Sequence, residues 1–461
     1  MAATVHMMFD PLTINNVTFR NRVLRSPIGG KMANYNGSVT SVWKNFEKLF
    51  ADNDVGGIIS TTFTVNKFRQ SPLEYPSLSD DRFKTPLKEY IRAIKAAGCP
   101  YIIQIGDAGY ATQTSLLAEK HDSRSSSGGF DFAYGYTDRR TKMSNDTIEE
   151  SIKDFVRAAV RVRDVGADGV EVTASKGYLI HQFLNPGLNR RTDQWGSGGP
   201  EPKRFLYLRR IIEGIRKEVG RDFLLGVKLS IRDDNYLPWV AFRLPPVWNL
   251  KHQVFGNTEA DTLRFARELE TLGVDYLHLV SGFGFISPRD TPGPLPTPEL
   301  RAFFNSTSHL SYKAKFRSVF SNVTAPWLDW LWGLGWESEL PKGGSSKDWP
   351  AAGLNIEAAG RFKSQLHIPI IVNGGIKRRD LIESALSNGK CDLVAIGRGL
   401  LADPGLVQRF KEEINEPANS CTYCNRCAAR TATSPLGCYN PDRFENREEM
   451  QQQILSLNRP D

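Results

Sequence analysis

No apolar run in the 461 residues reaches membrane-spanning length, and the opening MAATVHMMFDPLTI lacks an apolar core long enough for a signal peptide. Cysteine is scarce, with six in all; four of them (Cys421, Cys424, Cys427, Cys438) crowd near one end, an arrangement that suits thiols or a metal in a reducing compartment better than disulfides. The formal charge is +8, yet Lys and Arg are scattered among acids and never form a polybasic run. A nucleic-acid partner is therefore not expected, and the basicity reads as solvated surface. What is present, 40% hydrophobic and 24% charged residues, is enough for a large core and argues against disorder. The expectation is a soluble cytoplasmic protein without a membrane span.

Short apolar, β-rich runs alternate with helical patterns along the chain. The runs are RVLRSPI from Arg22, VGGIISTTFT from Val55, YIIQIG from Tyr101, GADGVEVTA from Gly166, LLGVKLS from Leu224, DYLHLVSG from Asp275, PIIVNGG from Pro369 and LVAIGRG from Leu393. Between them, Ile148, Ile152, Phe155, Ala159 and Val162 step four, three, four, three and mark one amphipathic helix, with Thr147 and Glu150 as a capping box and Gly166 as its stop. Eight nearly continuous apolar strands, each followed by a helix, predict an α/β fold, a (β/α)8 TIM barrel; a doubly wound open sheet is the alternative.

Long excursions follow strand three (Asp107 to about Asp146), strand five (Ile231 to about Asn257) and strand six (Phe283 to about Ala351), all on the C-terminal face where such barrels place their sites. TAPWLDWLWGLGW from Thr324 is the most apolar stretch among them. It reads as a lid or as a subunit contact that would make a homo-oligomer, because a membrane-surface anchor needs a cationic polar face that this stretch lacks. The organisation expected is a barrel over residues 1–415, with the Trp-rich insertion at about 283–351, and a Cys-containing tail over 416–461 packed on it.

Strands seven and eight end in VNGG (Val372 to Gly375) and GRG (Gly397 to Gly399), where backbone N–H groups can approach an anion and Arg398 adds charge. Two glycine turns at these strands predict a phosphate site, and in a barrel such a phosphate often belongs to FMN. Gln104, ending strand three, could bond a pyrimidine-like ring edge, and Lys228, on strand five, could offset charge on a reduced flavin; the structural reading of Lys228 is an ion pair with Glu171.

From PLTINNVTFRNRVLRSPI through GYLIHQFLNPGLNRRTDQWG, RFLYLRRIIEGIR and on to LLADP, the chain resembles the old yellow enzyme family of NAD(P)H:flavin oxidoreductases. The resemblance implies FMN gripped by Pro27, Ile28, Gly29, Gln104, Lys228 (commonly arginine), Asn373, Gly374, Gly375, Gly397 and Arg398, with NADH or NADPH as electron donor. It also implies that Tyr178 delivers a proton to a small-molecule substrate. The sequence departs from the family's usual pattern at five positions. Thr173 and Lys176 stand where two imidazole or amide groups usually clamp the substrate carbonyl, Asp107 and Tyr110 where a His and an Arg usually follow strand three, and Gly29 where a Thr or Cys tunes the flavin.

Lys176 and Thr173 are read as an oxyanion clamp for an enone-like, anionic substrate, the structural alternative being a pairing of Lys176 with Asp107 or Glu171. The tail resembles an iron–sulfur motif of larger relatives but has two residues, where they have three, between its second and third cysteines; zinc or reduced thiols are expected instead. Three functions stay open: an FMN-dependent reductase of activated C=C bonds, a redox-neutral isomerase or cyclase or NAD(P)H oxidase using the same flavin, and a non-enzymatic flavoprotein acting as an interaction module.

Overall fold

The computed structural model describes residues 7–66, 74–112, 123–130, 139–196, 203–233, 256–282, 293–309, 312–337, 353–415, 421–431 and 433–461. Eight parallel strands succeed one another around a ring: β1 (Val23–Arg25), β2 (Gly57–Ile59), β3 (Tyr101–Gly106), β4 (Gly169–Ala174), β5 (Leu224–Ser230), β6 (Tyr276–Val280), β7 (Ile370–Val372) and β8 (Leu393–Ile396). The ring closes where β8 pairs with β1 through Val394 and Val23, so the sheet is a barrel and not an open doubly wound sheet.

Strand alternation sorts the side chains into two cores. Ile58, Ile103, Val170, Val172, Val227, Leu277 and Val394 point outward against the helices. Leu24, Ile59, Ile102, Leu224, Tyr276, Ile371 and Leu393 fill the barrel's lower interior. Its open lower end is plugged by an antiparallel hairpin, Leu12–Ile14 with Val17–Phe19, which adds Ile14, Val17 and Phe19 to that inner core. Gly226 is on β5 because Tyr276 takes the room of its missing side chain: a Cβ there would overlap the phenol ring.

The helices are α1 (Ser41–Asp52), α2 (Lys84–Lys95), α3 (Asn145–Asp164), α4 (Leu179–Leu184), α5 (Leu206–Val219), α6 (Glu259–Thr271), α7 (Thr297–Thr307), α8 (Tyr312–Glu337), α9 (Ile356–Lys363), α10 (Arg379–Ser387), α11 (Arg398–Ala402), α12 (Leu406–Lys411), α13 (Arg426–Arg430) and α14 (Arg447–Leu457). The apolar stripe of α3 is buried as its spacing requires, but the helix starts earlier than Thr147. Ser144 is its N-cap and accepts from the Thr147 amide at 3.2 Å. A serine followed by Asn and Asp is as good a cap as the threonine three residues on, and it adds a turn of helix with Asp146 near the positive end. Gly166, at φ +81°, carries the chain away from the helix end.

Helix α1 docks through a charge pair inside the apolar shell. Arg25, the outward residue ending β1, is ion-paired with Glu47 of α1, and its guanidinium lies over Phe46 and Phe50 at 5.5 and 5.4 Å. Burial lowers its pKa to about 10, still well above neutrality.

The insertion after β6 is not an irregular loop where described: it contains α7 and α8, and the Trp-rich stretch is the second half of α8. Pro326 interrupts the pattern a helix would show in sequence, which is why the stretch reads as loop. Most of the excursion after β5 (234–255), and 113–122 and 131–138 of that after β3, lie outside the described residues. At the chain's other end, Leu436 and Leu457 are buried in the outer core, and Asn458 Nδ2 donates to the Leu436 carbonyl at 2.7 Å.

Replacing Gly226 with alanine should force the Tyr276 ring out of place and lower unfolding free energy by on the order of 2 kcal/mol. Denaturant titration of the two proteins measures it; an unchanged midpoint would show that the inner core gives way freely.

Candidate active site

Above the inner apolar core lies a polar layer. Glu171 of β4, fully buried, accepts from Gln104 Nε2 (2.6 Å, β3), Tyr276 Oη (3.2 Å, β6) and His278 Nδ1 (3.0 Å, β6). Burial pushes the Glu171 carboxyl up, but the charges and hydrogen bonds of His278, Lys228 and Gln104 outweigh it and hold the acid below its ordinary range. Burial, reinforced by the Lys228 charge and opposed by Glu171, lowers the His278 pKa, and its Nδ1 donates to the acid. Gln104 Oε1 accepts the Thr62 hydroxyl, so both ends of the amide are oriented and one Nε2 hydrogen remains for a ligand.

Lys228 of β5 stands beside Thr173 on one neighbouring strand and His278 on the other. Its side chain is only 7% exposed, yet no hydrogen bond or ion pair holds its ammonium among the described residues. Glu171 is felt across space without closing an ion pair, because its oxygens are already taken by three donors. Desolvation lowers Lys228 to about 8, opposed by Glu171 and reinforced by the nearby Lys176 ammonium.

Past β4 the chain turns sharply. Lys176 (φ +57°) and Gly177 (φ +79°) are both left-handed, and Tyr178 then caps α4. For a lysine the left-handed region costs about 1 kcal/mol or more, whereas Asn and His visit it more readily. His181 anchors this turn. Its Nδ1 accepts from the Gly177 amide at 2.9 Å, so Nε2 carries the proton and meets Asp233 Oδ1 at 2.7 Å, an acid also held by Asn185 and Asn257. Gln182 ties the same turn to the end of β3, donating to the carbonyls of Gly177 (2.7 Å) and Ala108 (3.1 Å). Asp107 accepts from the Gly109 amide at 2.7 Å and Tyr110 is buried beneath Arg140, so both belong to this scaffold.

Of the trio at the turn, the Thr173 and Tyr178 hydroxyls meet no hydrogen-bond partner among the described residues, and burial raises the Tyr178 phenol, which stays protonated. Lys176 Nζ donates to the Ser281 carbonyl at the end of β6 and pairs with neither Asp107 nor Glu171. From Ser281 the chain of contacts runs through Asn355, whose Nδ2 donates to the Asn373 carbonyl at 2.7 Å, and on to Ser26, whose hydroxyl accepts from Asn373 Nδ2 at 3.0 Å. Lys176 thus belongs to a network that joins the ends of β4, β6, β7 and β1.

Gly374 and Gly375 come after β7, and Gly397 precedes α11; all three are partly open, and among the described residues the amides of Gly374 and Gly375 donate to nothing. The Cys tail lies directly against them. Tyr423 Oη donates to the Gly375 carbonyl at 2.9 Å, Arg398 donates to Asn425 and stacks over Tyr423 at 5.3 Å, and Lys377 Nζ donates to the Cys421 carbonyl at 3.0 Å. Beside Gly397, on the neighbouring strand, Pro27, Ile28 and Gly29 come after β1, and a Cβ on Gly29 would overlap the Tyr75 phenol. The tail cysteines sense one another's charge, and burial pushes the Cys427 thiol up to about 12. Among the described residues, however, no three His, Cys, Asp or Glu side chains are arranged to hold a metal. The zinc expectation for Cys421, Cys424, Cys427 and Cys438 receives no support from this geometry.

These residues fit a flavin mononucleotide: a desolvated ammonium with no partner among the described residues, one free amide hydrogen on Gln104, and open glycine amides beside Arg398 for a phosphate. Thr62, Tyr75, Ser281, Asn355, Tyr423 and Asn425 escape sequence reasoning, since each comes from a loop distant in the chain. His181 and Asp233 escape it too, though the Gly-Tyr-x-x-His spacing is there to be read.

The model of the NADH:flavin oxidoreductase / NADH oxidase family matches residues 7–237, and that of dihydrouridine synthase (Dus) matches 348–437, a span that includes both glycine turns. An NADH oxidase of Thermoanaerobacter brockii is 26% identical over 95% of this chain and 54% of its own length. A 4,4'-dithiodibutanoate disulfide reductase of Rhodococcus erythropolis is 28% identical over 91% of this chain and 92% of its own. The old yellow enzyme homologue of Zymomonas mobilis shares the fold, with a TM-score of 0.64 at 17% identity over 95% of this chain and 98% of its own. The chain spans about half the length of the first curated relatives it matches, at 54% and 51%.

Lys228 generates a pH test. Its pKa in the folded protein, about 8, lies below its ordinary 10.5, so between these values the unfolded chain binds the extra proton. The penalty is present in full below pH 8, and unfolding free energy rises with pH from there to about 10.5, by on the order of 3 kcal/mol. Denaturant melts of ligand-free protein and of Lys228→Met should differ by that slope; parallel profiles would mean the ammonium is not desolvated.

Proposed function

We propose, since the chain belongs to the NADH:flavin oxidoreductase / NADH oxidase family, that it is an FMN-dependent oxidoreductase that takes hydride from NADH or NADPH and reduces an activated, anionic C=C substrate. The observation that carries the flavin reading is the Lys228 ammonium, desolvated and unpaired beside Gln104. Folding buries such a charge at a cost of several kcal/mol, which a ligand with negative charge at that point would offset. Pro27, Ile28, Gly29, Gln104, Lys228, Asn373, Gly374, Gly375, Gly397 and Arg398 are the residues that would hold the cofactor. Bound there, FMN would supply the hydride chemistry between nicotinamide and substrate.

The chain's own residues would do the rest. Reduction of a C=C bond activated by a carbonyl puts negative charge on the activating oxygen. Thr173 contributes an unengaged hydroxyl and Lys176 a cation, with at least one Nζ hydrogen committed to the Ser281 carbonyl, which fixes where the ammonium sits. Tyr178, kept protonated by burial, holds the proton that completes the addition. Lys176 and Lys228 raise the potential of one region together, which favours an anionic substrate. The Rhodococcus relative, whose named substrate is a carboxylate, points to the same charge preference. That a lysine occupies a left-handed position better suited to Asn or His supports a functional reason for its presence.

Purified protein should be yellow and release FMN, not FAD, on denaturation; colourless protein that takes up no added FMN would remove the basis of this reading. In stopped-flow measurements Lys176→Met, Thr173→Val and Tyr178→Phe should leave flavin reduction by NAD(P)H within about twofold and slow reoxidation by an enone carboxylate by on the order of a hundredfold. Were Lys176→Met to reoxidise normally but lose its flavin or its fold, the lysine would be a structural tie to Ser281 and not part of the clamp.

A further inference from the structure

Helix α8 has two unlike faces. Ala314, Ser318, Ser321 and Ala325, spaced four, three and four, are buried against α7, and Ser318 and Asn322 both donate to Asn305 (2.6 and 2.9 Å) while Thr297 donates to Asp329. The opposite face bears Tyr312, Phe316, Val319, Phe320, Val323, Trp327 and Trp330, each between 54% and 94% exposed. They form one arc roughly 100° wide and about 27 Å long. Among the described residues nothing covers it, neither the barrel mouth nor the tail.

We propose that this arc is the docking surface for a second copy of the chain, the two α8 helices lying antiparallel about a two-fold axis level with residue 321. Tyr312, Phe316, Val319 and Val323 keep the alternating four–three spacing of a helix-pairing seam, and Trp330 resumes it seven residues on, past Pro326. The seam is self-complementary when reversed: Tyr312 falls opposite Trp330 of the partner subunit, Phe316 opposite the Trp327 region, and Val319 opposite Val323, so bulky ends meet and small centres meet.

Area agrees with this occupant. A fully covered aromatic side chain buries about 150–250 Å², and five that are more than half open, with two valines, present on the order of 700 Å². A monomer's largest apolar patch is typically about 300–600 Å², and a stable interface takes about 800 Å² from each partner. A lipid surface fits less well. An interfacial helix carries cations along its whole polar face; here that face is packed on α7 and the cations are confined to the first half.

The test is sedimentation equilibrium of the full-length flavin-loaded protein at micromolar concentration, which should give a dimer. Phe316→Ser with Trp327→Ser should raise the dimer dissociation constant about a hundredfold or more while circular dichroism and the flavin spectrum stay unchanged. Under oxidation Phe320→Cys should cross-link across the axis, above the background of the native thiols, whereas Tyr312→Cys, about 27 Å from its symmetry mate, should not. A monomeric wild type overturns the proposal, as does a dimer indifferent to the double serine substitution. Cross-linking of Tyr312→Cys equal to that of Phe320→Cys overturns the antiparallel arrangement. A monomer that pellets with phosphatidylglycerol vesicles would assign the face to lipid instead.

Discussion

A carboxylate in the middle of a barrel organises the rest of this molecule. Glu171 has no route to water, so its charge is tolerable only because Gln104, Tyr276 and His278 donate to it and Lys228 stands nearby. Each of these partners is fixed in turn by what the acid needs. Tyr276 can reach it because Gly226 leaves room for the ring, and Gln104 is turned so that its oxygen faces Thr62. Three donors engage the acid and Lys228 closes no ion pair with it; among the described residues its ammonium has no partner, which makes the upper barrel attractive to an anion.

The upper rim is held by short polar ties of the same kind. Gln182 joins the ends of β3 and β4, His181 and Asp233 hold the turn that carries Lys176 and Tyr178, and a run from Lys176 through Ser281, Asn355 and Asn373 reaches Ser26. A barrel places its site on loops, which are its least determined parts; here buried side-chain amides take over the positioning that strands provide lower down. The Cys tail, packed by Tyr423 and Asn425 onto the glycine turns, completes the rim without gathering its thiols around a metal among the described residues.

The eight strands are legible because parallel barrel strands are buried on both sides and read as continuous apolar runs, and the helix over 145–164 because one face repeats at 3.6 residues. One capping motif misplaces the start of that helix, since Ser144 and Thr147 compete on equal chemical terms. The insertion after β6 reads as loop because α8 has no uniform polar face: one side packs small residues on α7 and the other is apolar and open.

By itself the sequence determined the features that local periodicity and residue chemistry specify: the barrel, the glycine turns, and the presence of Gln104, Thr173 and Lys228 near the C-terminal ends of their strands with Lys176 and Tyr178 just past β4. Only the tertiary structure decided which of these groups are engaged. Lys228 closes no ion pair among the described residues although an acid lies near it, and Lys176 is tied to the Ser281 carbonyl just past β6 and not to Asp107 or Glu171. Partners of this kind lie about fifty to a hundred residues apart in sequence, and their choice depends on where a few ångströms of backbone place each donor, a quantity that no local pattern encodes.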